Sequence, residues 1–282
     1  MNRDPLISWQ RARELGAWDP RDIDFSQDAV DWLGLTPPEH DTLLRLTALF
    51  HGGDRGIALD LLPLIQVIAR EGRLEEELYL TSFLWEEAKH LETFRRFFSE
   101  VVREPEDLSR FRSDAWERMF NDELPRALRR LRTDSSAVAQ AEASATYGLI
   151  VEGVLADTGY HAIHAMLARN GILPGMQRAV AMLKADEERH LAYGVFLLSR
   201  LVAEHGDAVW SALEQRIAVL QELAMAVMDE TFASCPKFPF GVDLCEMRNF
   251  ARAQTKRRMD CIRAARGRTV SEICGCEDEG GI

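Results

Sequence analysis

Cysteine is scarce in this chain and gathered at one end: Cys235, Cys245, Cys261, Cys274 and Cys276, five in all. An odd count confined to the last quarter excludes a disulfide framework. The Cys274-Gly275-Cys276 pair sits in an acidic, Gly-ended tail, which fits a frayed terminus better than a soft-metal site. Long hydrophobic runs are missing too. None approaches the ~20 apolar residues that cross a bilayer, and the opening MNRDPLISWQRARELGAWDP lacks the apolar stretch of a secretory signal. The expectation is a cytoplasmic protein with no membrane span. Basic charge is short as well, with 34 Lys and Arg against 46 Asp and Glu and a net charge of −12. A polyanion would be repelled by such a surface, so nucleic acid is excluded as a partner. Strand signals are nearly absent, and proline and glycine interrupt the sequence only sparsely.

What is present is helical periodicity. Apolar residues recur at i, i+3, i+4 and i+7, which predicts helices at about 39–69, 74–102, 113–131, 135–170, 175–204, 207–233 and 241–265. The segment 135–170 opens on the N-capping residues Asp134 and Ser135 and ends at Asn170-Gly171, a C-cap pair. A helix of that length spans ~50 Å at 1.5 Å per residue and belongs in a bundle. No low-complexity stretch or inter-domain linker stands out. The 282 residues are expected to form one domain, with an N-terminal arm over 1–38 and a flexible acidic tail from about 268.

Two strings carry chemistry: Glu86-Glu87-Ala88-Lys89-His90 and Asp186-Glu187-Glu188-Arg189-His190. Each contains Glu-x-x-His. On a helix, residues i and i+3 share a face, so Glu and His can grip one cation from adjacent turns. One copy is weak, because charged residues are common on solvated helix faces. Two copies on long helices match the di-iron and di-manganese bundle pattern, in which two further helices each add a carboxylate. Glu152 stands 35 residues before Glu187, in Gly148-Leu149-Ile150-Val151-Glu152-Gly153-Val154-Leu155. A carboxylate in that apolar setting is costly unless a metal holds it. Asp54 stands 33 residues before Glu87, after Gly52-Gly53. Alone it would be a turn residue or a partner of Arg55; within the constellation it is a ligand. Similar spacings are what two antiparallel helix pairs with short loops would give. Four carboxylates would balance two divalent cations. Asp186 is assigned to accept the second N–H of His90, since metal-bound histidines usually donate to a carboxylate.

With these elements the sequence resembles the small-subunit superfamily of class I ribonucleotide reductases, from about residue 10 to about 250. Trp18-Asp19-Pro20-Arg21-Asp22-Ile23-Asp24 is similar to its opening motif. By that resemblance the fold is all-α, a ferritin-like four-helix bundle core extended by additional helices, and Trp18 lies on the electron-transfer route. The chain is most similar to the R-two-like ligand-binding oxidases, through Gly53-Asp54-Arg55-Gly56-Ile57-Ala58-Leu59-Asp60-Leu61-Leu62-Pro63-Leu64. The resemblance implies a homodimer that activates O2 at a Mn/Fe site, with two Fe as the alternative, and binds a long-chain fatty acid or similar hydrophobic ligand. Asp54, Glu87 and His90 would hold manganese; Glu152, Glu187 and His190 would hold iron. Tyr147 and Ile57 would form an ether cross-link, and Tyr160 would sit near the fatty-acid head group. Two positions depart from the pattern: Asp54 replaces Glu, and Ile57 replaces Val. Tyr147 and Glu152 are five apart and do not share a face of an ideal α-helix, so a π-bulge is expected near 148–153.

Two rivals follow from the same residues. A radical-generating reductase subunit is disfavoured because Phe94 occupies the position of the radical tyrosine and Ser271–Ile282 contains no tyrosine. A ferritin-like iron-storage protein is disfavoured by chain length. His161 and His164 are expected to be structural or close to the pocket mouth, His51 to cap the Gly52-Gly53 turn, and Trp85 and Trp210 to pack in the core or an interface.

Overall fold

The structure, a computed structural model, describes residues 4–51, 57–103, 108–233, 239–241 and 243–274, with backbone only at 48–51 and 57–60. Among the described residues there are helices and no strand. They run α1 (Pro5–Leu15), α2 (Ser26–Gly34), α3 (Pro37–His51), α4 (Ile57–Arg70), α5 (Leu74–Phe97), α6 (Asp114–Glu117), α7 (Leu124–Arg130), α8 (Ala137–Ser144), α9 (Asp157–Asn170), α10 (Pro174–His205), α11 (Asp207–Phe232), α12 (Leu244–Arg263) and α13 (Val270–Cys274). Wide π-helical turns extend α5 over Phe98–Val102, join α6 to α7 over Arg118–Glu123, and join α8 to α9 over Ala145–Ala156.

Of the helix expected over 39–69, the described residues carry α3 up to His51 and α4 from Ile57, and residues 52–56 between them lie outside the described residues. The 113–131 helix is real but threaded through a π segment. The long helix over 135–170 exists as α8, the π segment and α9. Ser136 caps its start by accepting from the backbone N–H of Ala139, and Gly171 closes it at φ +64°.

The bundle core consists of two antiparallel pairs. Helix α4 turns into α5 through Glu71-Gly72-Arg73, with Gly72 at φ +70°, a left-handed conformation that costs glycine little. Helix α9 turns into α10 through Gly171-Ile172-Leu173. These short connections are what the 33- and 35-residue spacings imply. Helix α10 packs on the π segment, on α9 and on α5, which brings the two pairs together.

The N-terminal residues fasten the site helices. Helix α1 packs along α5 and α10. Buried Asp28 of α2 accepts the backbone N–H groups of Gly175 and Met176 at 2.8 and 2.7 Å, satisfying donors in the first turn of α10. Asp31 accepts from Leu173 at 2.7 Å, in the left-handed residue that precedes that helix. No helix among the described residues is long and apolar enough to cross a membrane.

Candidate metal centre

Helix α5 carries Glu87 and His90, the π segment carries Glu152, and α10 carries Glu187 and His190. The structure brings all five together. The Nδ1 of His90 lies 3.7 Å from a Glu87 oxygen and 3.6 Å from Glu187 Oε1. The Nδ1 of His190 lies 3.4 Å from the same Glu87 oxygen, 3.7 Å from Glu152 Oε1 and 3.6 Å from Glu187 Oε2. Two overlapping groups result, Glu87 with His90 and Glu187, and Glu87 with Glu152 and His190. Glu87 and Glu187 each face both histidines. Asp54 lies outside the described residues. Ile57 is the first residue of α4, and its side chain lies outside them too.

Does this set fit metals? Both oxygens of Glu152, Oε2 of Glu187 and Nδ1 of His190 are buried with no hydrogen-bond partner. Orphaned acceptors of this kind are expensive unless a cation satisfies them. The titration behaviour agrees. Burial pushes the Glu87 carboxyl up to about 7 and Glu152 up to about 8, the neighbouring carboxylates adding to the effect. Burial opposes charge on His90 and His190, yet the carboxylates packed around each ring, Asp186 foremost at His90 and Glu152, Glu187 and Glu86 at His190, hold both above the ordinary imidazole value. Protons are thus retained where divalent cations would otherwise balance the charge. Carboxylate and imidazole donors without thiolate suit manganese and iron.

The outer nitrogens of the histidines are held reciprocally. His90 Nε2 lies 3.2 Å from Asp186 Oδ2, as the sequence assigned. His190 Nε2 lies 2.9 Å from Glu86 Oε2, a partner that the sequence reading missed. With each Nδ1 turned to the centre, each Nε2–H donates outward. The residue before each ligand glutamate thus crosses to orient the other motif's histidine. A signal was available, because both motifs begin with two consecutive acids. The cations at the third position of each Glu-x-x-His complete the pattern. Arg189 Nη2 bonds Glu86 Oε1, and also Asp186 Oδ1 at 2.5 Å. Lys89 Nζ bonds Asp186 Oδ2 at 3.1 Å. Burial favours the neutral acid at Asp186. The His90 bond and the charges of His90, Lys89 and Arg189 overcome it and hold the carboxyl well below its usual range.

Trp18 donates its indole N–H to Asp186 Oδ2 at 3.0 Å, and its ring stacks on His90 at 6.4 Å between centroids. Tyr147 and Glu152 both lie on the π segment, as the five-residue spacing required. The Tyr147 hydroxyl is buried without a hydrogen-bond partner; burial and then the Glu152 charge raise its pKa well above normal. Tyr160 is buried and feels Glu187, Glu87 and Glu152 in the same sense. Phe83 stacks on the His190 ring at 3.6 Å, covering the site from the α5 side. Phe94 is buried in the core. His161 is exposed and stacks on Phe250 at 4.4 Å, while His164 is half-buried on α9. Trp210 is buried and Trp85 is half-exposed.

The family model for the ribonucleotide reductase small chain matches residues 4–265. Among solved structures, a valine-to-leucine variant of R2-like ligand-binding oxidase with an anaerobically reconstituted Mn/Fe cofactor superposes with a TM-score of 0.85 at 33% identity, covering 91% of this chain and 92% of that one. A glycine-to-leucine variant, likewise with anaerobically reconstituted Mn/Fe, gives 0.86 at the same identity and coverage. A tyrosine-to-phenylalanine variant with the cofactor reconstituted aerobically gives 0.85, again with the same identity and coverage. The chain belongs to the ribonucleotide reductase small-chain family, among its R2-like ligand-binding oxidases, and is a dimetal oxidoreductase.

Proposed function

We propose that this protein activates O2 at a Mn/Fe or Fe/Fe pair held by Asp54, Glu87, His90, Glu152, Glu187 and His190, with a long-chain fatty acid or similar hydrophobic ligand bound beside the metals. The observation that carries this reading is the pair of facing Glu-x-x-His helices, with both Glu152 oxygens buried and unpartnered between them. When bound, the metals supply electrons to O2 and the oxidising power to remove hydrogen from a nearby C–H. The chain does the rest. Asp186 and Glu86 fix the histidine ring orientations, so that Nδ1 of each faces the centre. Phe83 and the buried apolar π segment exclude water. Tyr160 supports the ligand assignment, because its buried ring belongs to the same electrostatic neighbourhood as the three glutamates.

Tyr147 is the candidate for cross-linking to Ile57. Its hydroxyl is buried, unpaired and beside Glu152, so it holds its proton until an oxidant removes hydrogen. Phe94, where a radical tyrosine would stand, favours the oxidase over a tyrosyl-radical subunit. The deciding experiment is aerobic reconstitution with manganese and iron, metal analysis, and intact mass. Two metals per chain and a loss of two hydrogens mapped to the peptides carrying Tyr147 and Ile57 are expected. An unchanged mass at full metal occupancy would refute the cross-link.

A further inference from the structure

We propose that Trp85 is the exposed end of an electron route that continues through Trp18 to the metal centre, with the Lys89 ammonium clamped between the two indoles. Lys89 Nζ lies 4.2 Å from the Trp18 ring centroid and 4.4 Å from that of Trp85. The ammonium is held there by the carbonyl of Gly16 at 2.6 Å and by Asp186 at 3.1 Å. Trp18 then meets the site twice, through its N–H bond to Asp186 and by stacking on His90. The opposite end opens to solvent. Trp85 is 48% exposed, and it is the aromatic residue among the large exposed apolar side chains of the described residues.

Burying the stem of Lys89 needs only an aliphatic neighbour. Two indoles facing one cation form a more specific arrangement. Indole is among the most readily oxidised side chains, and a positive charge over its face makes a hole there less stable. Lys89 thus keeps an oxidised state from resting on either ring while leaving them close enough to exchange an electron. Over one passage, an outer-sphere one-electron reductant in solution loses one electron. Trp85 passes it to Trp18, and the oxidised metal pair gains it. Neither indole is changed, and the Trp18 N–H proton stays on its bond to Asp186.

The proposal rests on Trp18 belonging to the route, and the test separates the two. The full-length, metal-loaded, air-oxidised protein is mixed anaerobically with the methyl viologen radical cation, and reduction of the metal centre is followed by stopped-flow absorbance. Metal content and far-ultraviolet circular dichroism are checked for each variant. Trp85→Phe, which keeps a ring over Lys89, is expected to slow reduction about tenfold, the loss that ~1.4 kcal/mol of added barrier produces. Trp85→Tyr should recover part of the rate, and Trp18→Phe should slow it as well. An independent readout is peptide mass. Wild-type protein held in O2 without reductant should slowly gain one oxygen atom on the Trp85 peptide, the unreplenished indole giving two electrons to the oxidised metal pair and taking the oxygen from water with release of two protons, and Trp18→Phe should abolish that gain. Wild-type rates in Trp85→Phe alongside slow reduction in Trp18→Phe would overturn the proposal and leave Trp18 on the route. Wild-type rates in both would remove both.

Discussion

Four side chains stand behind the candidate ligands without joining them. Glu86 and Asp186 accept from the histidines, and Arg189 and Lys89 balance their charge. Glu86→Gln keeps an acceptor for His190 but removes the negative charge that Arg189 and the imidazole both use. Metal affinity should fall about tenfold or more with the fold retained, since outer partners of metal-bound histidines typically contribute 10–100-fold. Metal titration with circular dichroism checks this; unchanged affinity would mean that the Glu86 charge does not support the centre. Gly16 makes a related test. A Cβ there would collide with Glu86 Oε1, which Arg189 and His190 pin in place. Gly16→Ala should therefore lower both Tm and metal content, whereas Gly34→Ala, which meets nothing, should lower neither. Asp186 could be assigned from sequence because a general rule for metal-bound histidine pointed at the acid beside a ligand. The same rule applied to the first motif points at Glu86. The roles of Gly16, Lys89 and Trp85 could not be read that way, because they depend on where the end of α1 crosses α5, a contact with no periodic signature.

At the scale of elements, the two Glu-x-x-His helices and Glu152, one helix upstream of the second, are legible because ligand spacing is tied to helix pitch and loop length. The π segment was half legible. The five-residue separation of Tyr147 and Glu152 demands a departure from 3.6 residues per turn, but no residue pattern marks its twelve-residue extent over Ala145–Ala156. Widened turns release backbone groups from α-helical pairing. Arg258 of α12 answers one of them by bonding the Gly153 carbonyl, while its other nitrogen reaches Asp157 at 2.7 Å. Gly148 faces Gly194 of α10, and a Cβ built on it would meet the Gly194 Cα at an ordinary contact distance of 3.6 Å. Arg258→Met preserves much of the stem packing and removes both bonds. It should cost about 1–3 kcal/mol of stability, the penalty for leaving buried polar groups unpaired. It should also accelerate amide exchange in residues 145–156, by hydrogen-exchange mass spectrometry, more than in α11. Uniform acceleration across the chain would instead mean that Arg258 acts only on global stability.

For the whole molecule, the centre couples metal, proton and folding equilibria. Glu87 and Glu152 have carboxyl pKa values of about 7 and about 8 in the folded chain, against 4.5 for an ordinary glutamate. A carboxyl with a raised folded pKa stabilises the metal-free fold fully below about pH 4.5. It surrenders that contribution as pH climbs through 7 and 8, because the unfolded chain ionises first. The two buried histidines are also raised, and their contribution is likewise lost on going to high pH. All four groups therefore carry the same sign, and metal binding reverses it by displacing the protons they hold. The metal-free protein should lose Tm between pH 6 and pH 8, while the gain in Tm on adding manganese and iron should be larger at pH 8. At a metal concentration a hundred times the dissociation constant, the gain is about 2.7 kcal/mol, on the order of 5–10 °C for a chain of this size. Anaerobic thermal melts at the two pH values measure both slopes, and proton release on metal addition, followed in weakly buffered solution, gives an independent check. A gain that shrank toward pH 8 would mean that the buried carboxylates and imidazoles are not the groups the cations bind, whatever else the bundle holds.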